Sequence, residues 1–215
     1  MQSPLTAELT PEKRLALTYA PARAREATLA VLALDERMAK ILRSGREPLA
    51  GQLRLAWWRE TLQQPAAEWP RGDPLLDNLR DWHDPSPLAG LADGWETLLA
   101  EQVTDAEVAA FVHGRAAAFT SLAAQLGIAD SLAAGAAAST WAVADLAANL
   151  SAPAEKGVAL AYARKLPPVP RLPSLLRPLA VLAALGRSGL AGGGGPLLAG
   201  PRSALLALRT GLTGR

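Results

Sequence analysis

The stretch EPLAGQLRLAWWRETL, residues 47–62, carries the reading of the fold. Glu47 and Pro48 open it, and proline suits a first helical turn because its missing N–H would be unpaired there anyway. Leu49, Leu53 and Trp57 follow i, i+4, i+8, while Leu55, Trp58 and Leu62 follow i, i+3, i+7. Two apolar stripes on one helix reaching about Gln64 predict burial on most sides. Arg54 and Arg59 must then snorkel outward or meet an anion inside. Trp57 and Trp58 stand side by side in a chain with only two tyrosines and two phenylalanines. Three readings are open for them: core packing, the wall of a ligand cavity, or the remnant of an older enzyme site.

The helical period continues on both sides. Thr10 with Pro11 reads as an N-cap and first turn, and an Ala/Leu-rich segment from about Ala22 to Leu42 stops near Ser44-Gly45. Residues 65–90, rich in Pro, Asp, Trp and Gly, read as loop around a short helix near Pro74–Trp82. TDAE, residues 104–107, is a capping box that starts a helix to about Leu126, and Asp130 caps another to about Leu150. KLPPVPRLP, residues 165–173, cannot be regular helix or central strand and reads as a rigid connector. Ser174 to Arg187 is helical, GLAGGGGP is a loop, and Pro201 to Gly211 forms a last helix. No alternation long enough for a sheet occurs, so the expected fold is an all-α, single-domain helix bundle with Leu53, Trp57, Leu122 and Trp141 buried.

Composition narrows the chemistry. The chain has 215 residues, half of them hydrophobic and 20% charged, enough for one domain with a substantial core. It has no cysteine, which excludes disulfides and thiolate metal sites. His83 and His113 lie far apart without metal-ligand spacing, and they read as a turn residue and a packed or solvated helix residue. Ser121, Ser139 and Thr140 have no His/Asp arrangement near them in sequence, and AGGGG lacks the Lys-Ser/Thr of a P-loop.

Residues 151–215 hold nine Lys/Arg and one acid, a balance of +8, which leaves −6 for residues 1–150. Such a tail suits an anionic partner such as a lipid surface or a diphosphate, or it simply reflects an arginine-rich composition. No nucleic-acid motif accompanies it. The N-terminus lacks a signal-peptide pattern, and LLRPLAVLAALGRSGLAG is broken by Arg177, Pro178, Gly186 and Arg187. These features predict a cytoplasmic protein, at most peripheral to the inner membrane, with Arg171, Arg177, Arg187, Arg202 and Arg209 available to an anionic leaflet.

The order of motifs resembles the squalene/phytoene synthase family. The resemblance lies in LALTYAPARAREATLAVLALDERMAKILRS with EPLAGQLRLAWWRETL, then AASTWAVADLAANLSAPAEKG and LRPLAVLAALGR. It is closest to the short, diverged bacterial members related to the complex I assembly factor of the same fold. The resemblance implies an isoprenoid synthase bundle around a central cavity, in which two DxxxD motifs hold Mg²⁺ against a prenyl diphosphate. Carboxylates four residues apart share a helical face, and the metal neutralises the leaving group. Here the first motif aligns with Ala39 and Arg43, with Lys40 where a further acid is common. Asp35 and Glu36 fall four residues early, on another turn. The second motif aligns with Asn149 and Pro153, its preceding arginine with Ala148, and Asp145 survives nearby.

The resemblance therefore implies a degenerate site whose local charge is inverted, with no catalytic or metal-ligating residue. Arg54, Trp57, Trp58, Arg59 and Asp145 are its candidate ligand- or partner-contacting residues. Trp57 and Trp58 would form the cavity wall and core, and Arg54 and Arg59 would be solvated or would face an acidic partner or a lipid diphosphate. The expected function is non-catalytic binding of an isoprenoid-like lipid or a protein partner. The alternative is an active prenyltransferase, and only that alternative requires Mg²⁺.

Overall fold

The computed structural model describes residues 3–44 and 47–214, and among them it is all-α, with eleven α-helices and no strand. The helices are α1 (Pro4–Glu8), α2 (Pro11–Thr18), α3 (Ala22–Ser44), α4 (Pro48–Gln63), α5 (Pro74–Leu79) and α6 (Ala89–Thr97). They continue with α7 (Asp105–Gln125), α8 (Ser131–Asn149), α9 (Pro153–Ala163), α10 (Arg177–Ala191) and α11 (Gly200–Thr213). Single 3-10 turns occupy Ala66–Glu68, Ser86–Leu88 and Ser174–Leu176.

Local chemistry explains most boundaries. Thr104 and Glu107 form the expected capping box: the Ala106 N–H donates to Thr104 Oγ1 at 3.3 Å and the Thr104 N–H donates to Glu107 Oε2 at 2.9 Å. Asp130 accepts from the Ala133 N–H at the start of α8. Thr10 stands at the N-cap of α2, but its hydroxyl donates to Glu12 at 2.5 Å and takes no backbone N–H. Residues 165–173 form neither helix nor strand, as four prolines and their restricted neighbours dictate. The stop expected at Ser44-Gly45 matches the end of α3 at Ser44, while Gly45 lies outside the described residues.

Three helices were not expected. The helices α1, α6 and α9 are short, and α6 contains two glycines that weaken any helical signal. Tertiary packing holds α6 in place. It crosses α7 backbone to backbone, and a Cβ at Gly114 would lie 2.3 Å from the Gly90 carbonyl oxygen. One at Gly94 would meet the Ala110 and Phe111 carbonyl oxygens at 3.2 Å. The close approach sets Trp95 of α6 edge-on to Phe111 of α7, centroids 4.8 Å apart. Around this pair, α7 packs along α8, α8 along α10, and α10 along α2 and α11.

The stretch 47–62 behaves differently from its pattern. The stripe Leu55, Trp58 and Leu62 is buried, but Leu49, Leu53 and Trp57 are 66%, 64% and 44% exposed. The expectation that Leu53 and Trp57 are buried is therefore corrected. The physical reason is that α4 rests mainly on α6, with smaller contacts to α3, so only one of its faces finds the core. Leu122 and Trp141 are buried as expected.

Candidate functional site

A charge cluster lies inside the bundle where α2, α3, α7 and α8 meet. It begins on α3, where Asp35 and Glu36 interrupt the run LAVLAL and are 0% and 2% exposed. From α7, Arg115 is 0% exposed and grips Asp35 with two hydrogen bonds, Nε to Oδ1 at 2.9 Å and Nη2 to Oδ2 at 3.1 Å. Its third nitrogen, Nη1, donates to Asp145 Oδ2 of α8 at 2.8 Å. From α2, Lys13 Nζ lies 2.8 Å from Asp35 and donates to Glu36 Oε2 at 2.7 Å. Trp95 Nε1 donates to Asp35 Oδ1 at 3.0 Å, and Arg43, one helical face along α3, pairs with Glu36.

Aromatic rings complete the cage. The Arg115 guanidinium lies over Trp141 at 4.3 Å, Phe111 at 4.7 Å and Trp95 at 5.1 Å, so its faces meet π-clouds while its edges meet carboxylates. For Lys13, Asp35 and Arg115 burial by itself favours the neutral form, and the pairing reverses that pull. For Asp35 burial pushes the pKa up, but Arg115, Lys13 and the Trp95 hydrogen bond outweigh it and hold it below 3.8. For Lys13 and Arg115 burial pushes down, and Asp35 with Asp145 raises both above their ordinary values. Three acids face three bases, and the six charges sum to zero.

A pocket of about 300 Å³ opens on this cluster. Its polar side carries Thr10, Glu12, Lys13, Glu36, Arg43, Asp145 and Asn149. Its apolar side is built from Ala39, Trp95, Phe111, Leu146 and neighbouring aliphatic residues. Asn149 Nδ2 donates to the Asp145 carbonyl oxygen at 2.8 Å and to its carboxylate at 3.2 Å. The Arg43 side chain is 53% exposed and is the cation of the cluster best able to turn toward a bound molecule.

The aligned positions Ala39, Arg43 and Asn149 thus line one pocket with Asp145. The inverted local charge inferred from them is corrected. Asp35 and Ala39 lie one turn apart on the same face of α3, and Asp35 and Glu36 are buried, so acids and bases balance in this region. Three carboxylates, Glu12, Glu36 and Asp145, line the pocket.

The α4 candidates lie elsewhere. Trp58 packs edge-on to Trp57 at 5.0 Å and under the Arg37 guanidinium at 5.8 Å. Arg59 pairs with Asp93, at 2.7 Å, and with Glu96 of α6, so its acidic partner belongs to this chain. Arg54 is exposed and donates from Nε to the Ala50 carbonyl oxygen at 3.1 Å. None of these four residues lines the 300 Å³ pocket.

Sequence reasoning passed over Lys13, Arg115 and Trp95. A usable signal existed for Arg115, the sole permanent charge in the long segment VAAFVHGRAAAFTSLAAQ of α7, and for Asp35-Glu36 inside an apolar run. The structure also brings His83 and His113 to one larger groove of about 890 Å³ with Asp81, Asp84, Ser121 and Gln125. Both histidines are exposed there, and among the described residues no group of three or more His, Asp or Glu side chains is arranged to hold a metal. The desolvated charges belong to the smaller pocket, which makes it the candidate site. Comparison with protein-family models, with curated proteins and with solved structures returned no match.

Proposed function

We propose that the chain is a squalene/phytoene synthase-like bundle that binds an isoprenoid-type lipid without reacting it. The observation that carries the reading is the internal neutralisation of Asp35, Glu36 and Asp145 by Lys13, Arg43 and Arg115. Lys and Arg nitrogens sit against the oxygens that a divalent cation would need, so this donor set does not fit Mg²⁺. Displacing the buried cations would leave uncompensated charge in the core.

The pocket suits an amphipathic guest. Its volume lies at the low end for small-molecule sites, enough for the end of a prenyl chain or a short one. Trp95, Phe111 and Leu146 would enclose the apolar part, while Arg43 and Asn149 would meet an anionic or hydroxyl head. In this reading the Lys13–Asp35–Arg115–Asp145 network is scaffold, holding α2, α3, α7 and α8 around the pocket. The order of helical motifs that resembles the synthase family supports the same assignment.

Glu12, Glu36 and Asp145 on one pocket favour a second reading, an active prenyltransferase. Titration of the tryptophan fluorescence with farnesol and farnesyl diphosphate, beside a pyrophosphate-release assay with Mg²⁺, separates the two. Saturable quenching that Ala39→Leu weakens, with no pyrophosphate released, supports the binding reading. Failure of both ligands to bind overturns it, and Mg²⁺-dependent pyrophosphate release replaces it with the second.

A further inference from the structure

The geometry of α11 points to a docking face for an anionic phospholipid surface. The helix is built inside out for a helix bathed only in water. Its buried residues are Ser203, Ala207, Thr210 and Gly211, small side chains that pack toward α10 and α2. A Cβ at Gly211 would lie 2.3 Å from the Tyr19 ring, so this face seats tightly. Leu205, Leu208 and Leu212 point the other way and are 66%, 46% and 70% exposed. Their spacing of three and four residues gives one stripe, with Ala204 and Pro201 also exposed on α11.

Charge decides the occupant. Arg202 and Arg209 are exposed, lie seven residues apart and flank the same edge of the leucine stripe. Residues 166–215 contain six arginines and no acid. A second copy seated on this face would find no carboxylate side chain on α11 to pair with its arginines. An anionic leaflet offers hydrocarbon for the leucines and phosphates for the flanking guanidinium groups, the arrangement of an interfacial helix. The helix has 14 residues, and among the described residues no helix is long and apolar enough to cross a membrane, so α11 lies along the surface. This inference is independent of what the pocket binds.

Vesicle flotation of the full chain tests it, with phosphatidylcholine vesicles made with and without phosphatidylglycerol, at low salt and at about 0.5 M salt. Binding is expected only with phosphatidylglycerol, and several-fold weaker at high salt. Leu205→Glu/Leu212→Glu is expected to lower it about tenfold or more. Arg202→Glu/Arg209→Glu is expected to abolish the preference for phosphatidylglycerol. All four side chains are exposed, and circular dichroism confirms that the variants stay helical. Undiminished flotation of the leucine variant, equal binding to neutral vesicles, or no binding at low salt overturns the proposal. So does a parent dimer in light scattering that the leucine variant converts to monomer, because the stripe is then a self-association face.

Discussion

Replacing Arg115 by Met tests whether the buried charges form one interdependent unit. The change keeps most of the side-chain volume but deletes three charge-assisted hydrogen bonds, two to Asp35 and one to Asp145. It also removes the cation that lies 4.3 Å over Trp141. Asp35, with no exposure to water, keeps only Lys13 and the Trp95 N–H. Breaking a buried pair from one side costs about 3–5 kcal/mol, because the surviving charge is left poorly compensated. For a chain of this size that corresponds to a fall in Tm of roughly 6–20 °C.

The assay is chemical denaturation of the parent, Arg115→Met, Asp35→Asn and the double variant. If the cost arises from the stranded carboxylate, Asp35→Asn should recover part of it, with a coupling of at least about 1 kcal/mol. The pH dependence gives an independent check. Without Arg115 the largest of the effects that offset burial is gone, so the folded pKa of Asp35 moves up. The variant's deficit should then shrink as pH falls toward 4, since the folded state now accepts a proton readily. A loss below about 1 kcal/mol, or strict additivity in the cycle, would refute the reasoning.

Three further outcomes follow from the same contacts. Gly114→Ala should destabilise by about 1–3 kcal/mol or more, because its Cβ meets the Gly90 carbonyl oxygen and α6 must lift from α7; near-UV circular dichroism of Trp95 reports the shift. Trp58→Ala should cost about 3–5 kcal/mol and Trp57→Ala less than about 1, since one ring is buried and the other 44% exposed; urea midpoints distinguish them. In the parent, the lowered pKa of Asp35 stabilises the fold above its ordinary value of 3.8 and is lost as pH falls below that value through the folded pKa. The raised pKa of Lys13 stabilises below 10.5 and is lost as pH climbs through its folded value. Denaturation midpoints should therefore stay level for this cluster between those limits and decline outside them.

Periodicity, caps and prolines were enough to read an all-α chain and most helix limits, because those signals act between residues a few positions apart. Thr104 and Glu107 find each other across three residues, and Pro48 acts on its own turn. The helix α6 was illegible because it owes its place to contact with α7 at Gly90, Gly94 and Gly114, not to its own propensity. The two stripes of α4 look equally apolar in sequence, and only the number of neighbouring helices decides that Trp58 is covered and Trp57 is not. The same holds for charge. Lys13, Asp35, Arg115 and Asp145 come from four helices up to 132 positions apart, and nothing local in the sequence says that they meet. Burial turns them into a unit, since a desolvated charge is stable only beside its opposite, and that pairing exists only once the helices have closed around it.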